Sequence, residues 1–236
     1  MSRIRGALRD PLLSVVMPVF NEAATIEEIV RRVLAVPLRI QLIVVDDGST
    51  DCTRDVIERL RQELGFTVVL QPRNAGKGAA LRRGFSEVRG DIVVIQDADL
   101  EYSPEEFPML IELICEGRAD VVYGSRFLGR HRVFLFSHYL GNRLLTLLTN
   151  VLYNTMLTDM ETCYKVMRTE VLRSMTLRSD GFGIEPELTA KIFKRGFRVY
   201  EVPITYDGRG YEEGKKIGWR DGIVALWVLM RYRISE

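Results

Sequence analysis

Two aspartates separated by one residue, Asp97-Ala98-Asp99, stand just past an apolar run at residues 91–95 (DIVVI), after Gln96. Carboxylates at the end of a buried strand can converge on one hard cation once the chain bends out of extended geometry. Oxygen-only ligation of this kind suits Mg²⁺ or Mn²⁺, which completes its shell with phosphate oxygens and water. Glu101 is a further candidate ligand or supporting group. The competing reading is a solvated acidic turn. A second cluster, Asp46-Asp47-Gly48-Ser49-Thr50-Asp51, closes the run at 41–45 (QLIVV). Asp47 could accept hydrogen bonds from a nucleobase or ribose, while Ser49 and Asp51 could cap a helix starting at Thr53. Capping accounts for Ser49 and Asp51 but not for Asp46 and Asp47 together, and one of those two is expected to be structural. In Asn74-Ala75-Gly76-Lys77-Gly78 the glycines permit close backbone approach, and the helix that follows presents an N-terminus suited to phosphate. The P-loop pattern GxxxxGK[ST] is absent, and a plain turn before a helix competes.

These clusters need a scaffold that brings strand ends together. Residues 12–20 (LLSVVMPVF) have the valine-rich, nearly continuous apolar pattern of a strand buried on both faces. Further strands are predicted at 41–45, 67–70, 91–95 and 120–123, the last running into Gly124-Ser125-Arg126. Helical spacing fills the gaps: from residue 21 to 34 with Ile26, Ile29, Val30, Val33 and Leu34, then at 53–64, 77–88 and 105–116. For the last of these Ser103 is the expected N-cap and Pro104 the first helical residue. This alternation implies βαβ units with right-handed crossovers and a mostly parallel sheet. Ligands bind outside the carboxyl ends of such strands, where all three clusters stand.

Beyond residue 126 the rhythm changes. Residues 127–137 read as a basic loop with Arg130, His131 and Arg132, and 142–157 as an unusually apolar helix that could complete the core. A return to the sheet at 163–167, a helix at 186–194 and a strand at 198–206 follow. A glycine-rich basic loop at 208–218 leads to an apolar helix at 221–232, which could also pack on the core.

Composition bounds the function. The 236 residues, 47% hydrophobic and 28% charged, suit a single α/β domain and exclude intrinsic disorder, collagen-like repeats and a disulfide scaffold. A net charge of +1 gives no global reason to expect nucleic acid. Three cysteines without a CxxC pair and two histidines exclude thiolate-rich and histidine-rich metal sites and fit a reducing compartment. The basic start MSRIRGALRDPLL lacks an apolar core long enough for a signal peptide and no run of about 18–20 apolar residues occurs, so the chain is expected in the cytosol or on a membrane without spanning it.

Taken in order, VVMPVFNEAATIEEIV, VVDDGSTD, NAGKGAALRRGF, VVIQDADLEY and VVYGSRF resemble the family 2 glycosyltransferases of GT-A (Rossmann-like) fold. Phe182-Gly183-Ile184-Glu185-Pro186-Glu187-Leu188, Glu201-Val202-Pro203-Ile204 and Glu213-Gly214-Lys215-Lys216-Ile217 resemble its polyprenyl-phosphate branch, the dolichyl-phosphate mannose and glucose synthases. The resemblance spans residues 12 to 230. It implies one GT-A domain with a nucleotide-sugar half at 12–126 and an acceptor half at 127–236. Pro18, Phe20, Glu22, Asp46 and Asp47 would then line the nucleoside pocket, and Lys77 would lie near the donor phosphates. Asp97 and Asp99 would hold the diphosphate through Mg²⁺ or Mn²⁺. Glu101 stands where the family often has Gln, which keeps an oxygen ligand and adds charge.

The implied acceptor is a polyprenyl monophosphate, which attacks the anomeric carbon with inversion. Its phosphate would meet Arg126, Arg132, Ser137 and Arg209, because guanidinium groups suit bidentate work on phosphate. Asp99, Arg126 and Arg209 are the residues expected to carry catalysis. Relatives in this group often have C-terminal transmembrane helices. Here Trp219, Trp227 and Tyr232, with Lys215, Lys216, Arg220, Arg231 and Arg233, suit a bilayer interface instead. The chain is therefore expected to work peripherally on the cytoplasmic face of a membrane, alone or with a membrane-protein partner. Another lipid or polysaccharide acceptor is the alternative, although no QxxRW motif of processive enzymes occurs. A nucleotide-binding module that has lost catalysis is a further alternative, disfavoured by the presence of Asp97, Asp99, Arg126 and Arg209.

Overall fold

The computed structural model describes residues 6–132, 135–208 and 219–235. Seven strands, β1 (Leu12–Val19), β2 (Arg39–Asp46), β3 (Thr67–Leu70), β4 (Ile92–Ile95), β5 (Val121–Ser125), β6 (Lys165–Arg168) and β7 (Val199–Pro203), form one sheet in the order β3-β2-β1-β4-β6-β5-β7. The central strands are built almost wholly from Val, Ile and Leu with both faces covered, as the apolar runs require. β1 pairs in parallel with β2 from Leu12↔Arg39 to Val19↔Asp46, and with β4 on its other side. The chain therefore leaves β1 in one direction for β2 and β3 and returns on the other side as β4. The crevice between the carboxyl ends of β1 and β4 is the switch point where open α/β sheets bind ligands.

The flanking helices are α1 (Ile26–Ala35), α2 (Thr53–Leu64), α3 (Lys77–Phe85), α4 (Phe107–Cys115), α5 (Phe136–Tyr153), α6 (Thr169–Arg173), α7 (Ile184–Lys194) and α8 (Trp219–Ile234). Ile26, Ile29, Val30 and Val33 recur at helical spacing and are fully buried, which fixes the face α1 turns to the sheet. α3 ends three residues earlier than its pattern suggests. A 3-10 turn at Pro104–Glu106 precedes α4, and the Ser103 side chain makes no capping bond there. Pro104 and Pro108, lacking N–H groups, set the start of that segment.

Two features depart from the expected rhythm. β6 runs antiparallel to both β4 and β5, so the residues entering it lie at the carboxyl ends of its neighbours. α5 begins at Phe136, inside the stretch read as loop; Leu145, Leu152 and Tyr153 pack on the core, and a second apolar stripe faces outward. Thr146 and Thr149 are buried, while Leu140, Leu144, Leu147 and Val151 are exposed. This apolar stripe does not complete the core. In α8, Tyr232 turns inward beneath Lys191 rather than toward an interface, whereas Ile223, Trp227 and Ile234 face outward.

Candidate active site

β4 delivers Asp97 to the switch crevice. Its carboxylate receives the Lys77 ammonium, with Nζ 2.8 Å from Oδ1 and 3.0 Å from Oδ2. Lys77 is the first residue of α3, whose start is pressed against the backbone of 179–181: Ala79 N–H donates to the Asp180 carbonyl at 2.9 Å, and a side chain at Gly76 or Gly78 would overlap that segment. Burial opposes the ammonium charge, but Asp97, Cys163 and Glu185 outweigh it and hold the Lys77 pKa well above its usual range. Burial likewise opposes the Asp97 carboxylate, and Lys77 overcomes this and lowers its pKa.

The bend that the paired aspartates require is present. Leu100 has φ +64°, a left-handed conformation that is costly for a branched side chain, and the Glu101 N–H returns to Asp99 Oδ1 at 3.2 Å. Asn21, at the end of β1 across the crevice, has φ +53°. Left-handed backbone thus occurs on both sides of the switch point, tolerated by Asn21 and strained at Leu100, and such strain is common at functional sites.

Asp46 and Asp47 both carry structural bonds. Asp46 is fully buried, with Arg54 Nε at 2.6 Å and the Ser49 N–H at 3.3 Å. Asp47 accepts from Gln71 Nε2 at 2.7 Å and from the N–H groups of Ala75 and Gly76 at 2.8 Å each. The amides that a helix-start phosphate site would use are taken by this carboxylate. Ser49 does not cap α2; its hydroxyl accepts the Asn21 N–H at 3.0 Å, whereas Asp51 accepts the Thr53 N–H at 3.0 Å as expected. Pro18 and Phe20 lie half-buried at the end of β1, and Glu22 receives the Thr25 hydroxyl at 3.1 Å. A cleft of about 770 Å³ opens on the far side of the Asp47 loop, lined by Gln71, Arg73, Asn74, Arg82, Arg83 and Asp180 among others. Asp97, Asp99 and Arg126 do not line it.

At the end of β5, Arg126 forms a two-pronged pair with the buried Asp159, Nε at 2.7 Å and Nη2 at 2.8 Å. Burial disfavours the guanidinium charge, but Asp159 outweighs it. Glu201 of β7 holds the loop in place by accepting the N–H groups of Thr158 and Asp159 at 2.9 and 3.2 Å. Tyr206 joins the two sides of the site. Its ring lies 5.2 Å below the Arg126 guanidinium, and its hydroxyl donates to Glu101 Oε2 at 2.6 Å. The Arg132 N–H donates to the Tyr206 carbonyl at 3.0 Å, and Ser137 falls in the first turn of α5. Arg209, Lys215 and Lys216 lie outside the described residues.

Sequence reasoning missed the segment before β6. Because β6 is antiparallel, Thr158 to Tyr164 fold into the crevice. Cys163 lies against Asp97, and its backbone N–H donates to the Tyr102 hydroxyl at 3.1 Å. Lys165 and Glu185, both buried, pair at 2.7 Å, and Glu185 Oε1 also lies 3.3 Å from Lys77 Nζ. Glu161 has an enclosed Oε1 without a hydrogen-bond partner, and burial pushes its pKa up to about 7. The dense polar run Thr158-Asp159-Met160-Glu161-Thr162 directly before an apolar strand was the available signal.

Among the described residues, no three carboxylate, thiolate or imidazole groups come together as a ready-made metal cage, and Glu101 is directed to Tyr206 rather than assembled with the two aspartates. A pair of aspartates at a bent strand end still fits an ion that takes one or two protein carboxylates and fills its shell with phosphate and water, as Mg²⁺ does.

The sequence matches glycosyl transferase family 2 over residues 14–176. It is 31% identical over 212 residues to the dolichol-phosphate mannosyltransferase of Pyrococcus furiosus, covering 87% of this chain and 59% of that protein. It is 40% identical over 121 residues to the undecaprenyl-phosphate 4-deoxy-4-formamido-L-arabinose transferase of Pseudomonas aeruginosa strain PAO1, covering 49% of this chain and 35% of that protein. The chain thus spans 59% and 35% of the length of these two relatives, less than two thirds of each. Glucosyl-3-phosphoglycerate synthase of Mycobacterium tuberculosis, solved with Mn²⁺, uridine diphosphate and phosphoglyceric acid, superposes with a TM-score of 0.74 at 25% identity, covering 94% of this chain and 78% of that one. With a matched segment that runs from β1 past β6 and a fold shared with solved GT-A enzymes, the chain belongs to glycosyl transferase family 2.

Proposed function

We propose that the chain transfers one sugar from a nucleoside diphosphate sugar to a polyprenyl monophosphate, with inversion at the anomeric carbon. The observation that carries the acceptor class is α5, which turns an apolar stripe outward. Its inner face holds the acceptor-side loop: Asn142 Nδ2 lies 3.4 Å from Asp159, and the Met160 N–H donates to Thr146 Oγ1 at 3.2 Å. Its outer face offers Leu140, Leu144, Leu147 and Val151, each more than half exposed. A helix that packs Leu145 and Leu152 on the core and still exposes a second row of large apolar residues suits an apolar medium, and here that medium would adjoin Arg126. No helix among the described residues is long and apolar enough to cross a membrane, so the proposal is docking at the bilayer surface. Nothing supports a membrane-protein partner.

In this reading Asp97 and Asp99 hold Mg²⁺ or Mn²⁺ with the donor diphosphate, and Pro18, Phe20, Glu22 and Asp47 flank the nucleoside. The bound ion would neutralise charge on the departing nucleoside diphosphate. Lys77 adds positive charge on the donor side. Arg126, fixed by Asp159 and backed by Tyr206, positions the acceptor phosphate, with Arg132, Ser137 and Arg209 as further candidates. A phosphate monoester with a second pKa of about 6 is already largely dianionic at neutral pH, so its oxygen needs no strong base. The work left to the chain is alignment and charge stabilisation.

A small phosphorylated acceptor is the second reading, favoured by the phosphoglyceric acid in the similar synthase. The test is sugar transfer from a panel of labelled GDP- and UDP-sugars, with and without Mg²⁺ or Mn²⁺. Each is offered polyprenyl phosphate in vesicles or 3-phosphoglycerate in solution. Metal-dependent label in the organic phase supports the lipid reading. Label only in water-soluble product supports the second, and none with either sinks both.

A further inference from the structure

Two carboxylates share the Lys77 ammonium unequally. Asp97 holds it at 2.8 Å, and Glu185 Oε1 waits at 3.3 Å. Glu185 Oε2 is already taken by Lys165 at 2.7 Å, whereas Oε1 is enclosed, makes no hydrogen bond and sits on a residue only 3% exposed. A buried carboxylate oxygen held only by a 3.3 Å ion pair, with no hydrogen bond, is poorly satisfied, and native structures rarely keep one without a use. The backbone at Lys77 has no freedom to retreat, since Gly76 and Gly78 lie against residues 179–181. Any relocation of the ammonium must come from side-chain rotation, and among the described residues Glu185 Oε1, 3.3 Å away, is an acceptor that makes no hydrogen bond.

A divalent ion arriving at Asp97 meets a carboxylate already occupied by a cation. We propose that Lys77 is an internal counter-cation that occupies Asp97 until metal arrives, and that Glu185 is the positioning residue that takes it over. Resting on the reading of Asp97 as a metal-holding carboxylate, this adds what the family assignment does not address: how the pre-metal site is kept neutral and where the displaced charge goes. The two seats keep Lys77 within the crevice throughout, so the lysine remains at hand when the donor diphosphate binds. Metal entry and lysine displacement are then one coupled event.

The test is Mn²⁺ binding to the free chain, read from the loss of the free-ion EPR signal without nucleotide and without turnover. Lys77→Met removes the competitor and is expected to bind Mn²⁺ about tenfold more tightly than wild type, while Lys77→Arg, which keeps the charge, stays near wild type. Glu185→Gln is expected to weaken Mn²⁺ binding severalfold in the wild-type background and to have little effect in Lys77→Met, because its influence passes through the lysine. Equal weakening in both backgrounds would show Glu185 acting directly on the ion and overturn the proposal. So would a folded Lys77→Met that binds no more tightly than wild type, and this arm stands even if Glu185→Gln does not fold. Asp97→Asn separates the two levels: if wild-type Mn²⁺ binding survives that change, the reading of Asp97 as the metal carboxylate fails first.

Discussion

The Arg126 guanidinium and the Asp159 carboxylate meet edge to edge, Nε to Oδ2 at 2.7 Å and Nη2 to Oδ1 at 2.8 Å, and the same carboxylate accepts the Arg126 backbone N–H at 3.0 Å. The Arg126 guanidinium is therefore held in place by a buried partner that lies 33 residues later in the chain. Removing one member of such a pair strands the other charge and costs about 3–5 kcal/mol. Asp159→Ala should lower the melting temperature by on the order of 10 °C, measured by circular dichroism. An unchanged melting temperature would show the pair to be dispensable.

Asp97→Ala and Asp99→Ala should each fold and lose turnover by about a thousandfold, equivalent to roughly 4 kcal/mol of charge stabilisation. The check is initial rate at saturating metal and donor, beside a thermal melt. Retention of a tenth of wild-type activity by both variants would remove the metal role from this pair.

Glu161 makes stability depend on pH. Its folded pKa of about 7 lies above the ordinary 4.5, so the folded chain keeps a proton that the unfolded chain has released. That contribution is complete below about pH 4.5 and is lost as pH rises to about 7, beyond which it is flat. Glu161→Gln should flatten the slope and be more stable than wild type at pH 8, by at most about 3 kcal/mol. Urea unfolding at pH 5 and pH 8 measures this; identical slopes in the two proteins would place the titration elsewhere.

The outer face of α5 is predicted to bind lipid rather than to support the fold. Leu144, Leu147 and Val151 are 54%, 58% and 72% exposed, so changing all three to serine should shift stability by no more than about 1 kcal/mol. Binding to anionic vesicles should fall by about a hundredfold or more, given roughly 1.5–3 kcal/mol for a large apolar side chain fully buried and about half of that for these partly exposed ones. Co-sedimentation with vesicles reads the effect. A large stability loss with unchanged sedimentation would assign the stripe to the protein itself.

Much of the first half of the chain was legible because its signals are local. The strands at Leu12–Val19 and Thr67–Leu70 and the helix at Thr53–Leu64 follow from apolar period and β-branched content. Asp97-Ala98-Asp99 drew notice because acidic residues ended a buried run. The roles of Asp46 and Asp47 were less legible: one was expected to be structural, yet both are tied to the chain's own donors, Arg54 in one case and the Ala75 and Gly76 amides in the other.

The sequence by itself determined the alternating α/β scaffold, the placement of polar clusters at strand ends and the family, since each rests on patterns within a few residues or on their order. The tertiary structure alone decided that β6 runs antiparallel, which carries Asp159, Glu161 and Cys163 into the crevice. It also decided that the apolar stripe of α5 faces outward, and that Lys77 is shared between Asp97 and Glu185. A helical period reveals that a stripe exists, but only packing decides which side the core takes. Likewise an apolar run reveals a strand, but its direction and neighbours depend on partners far along the chain.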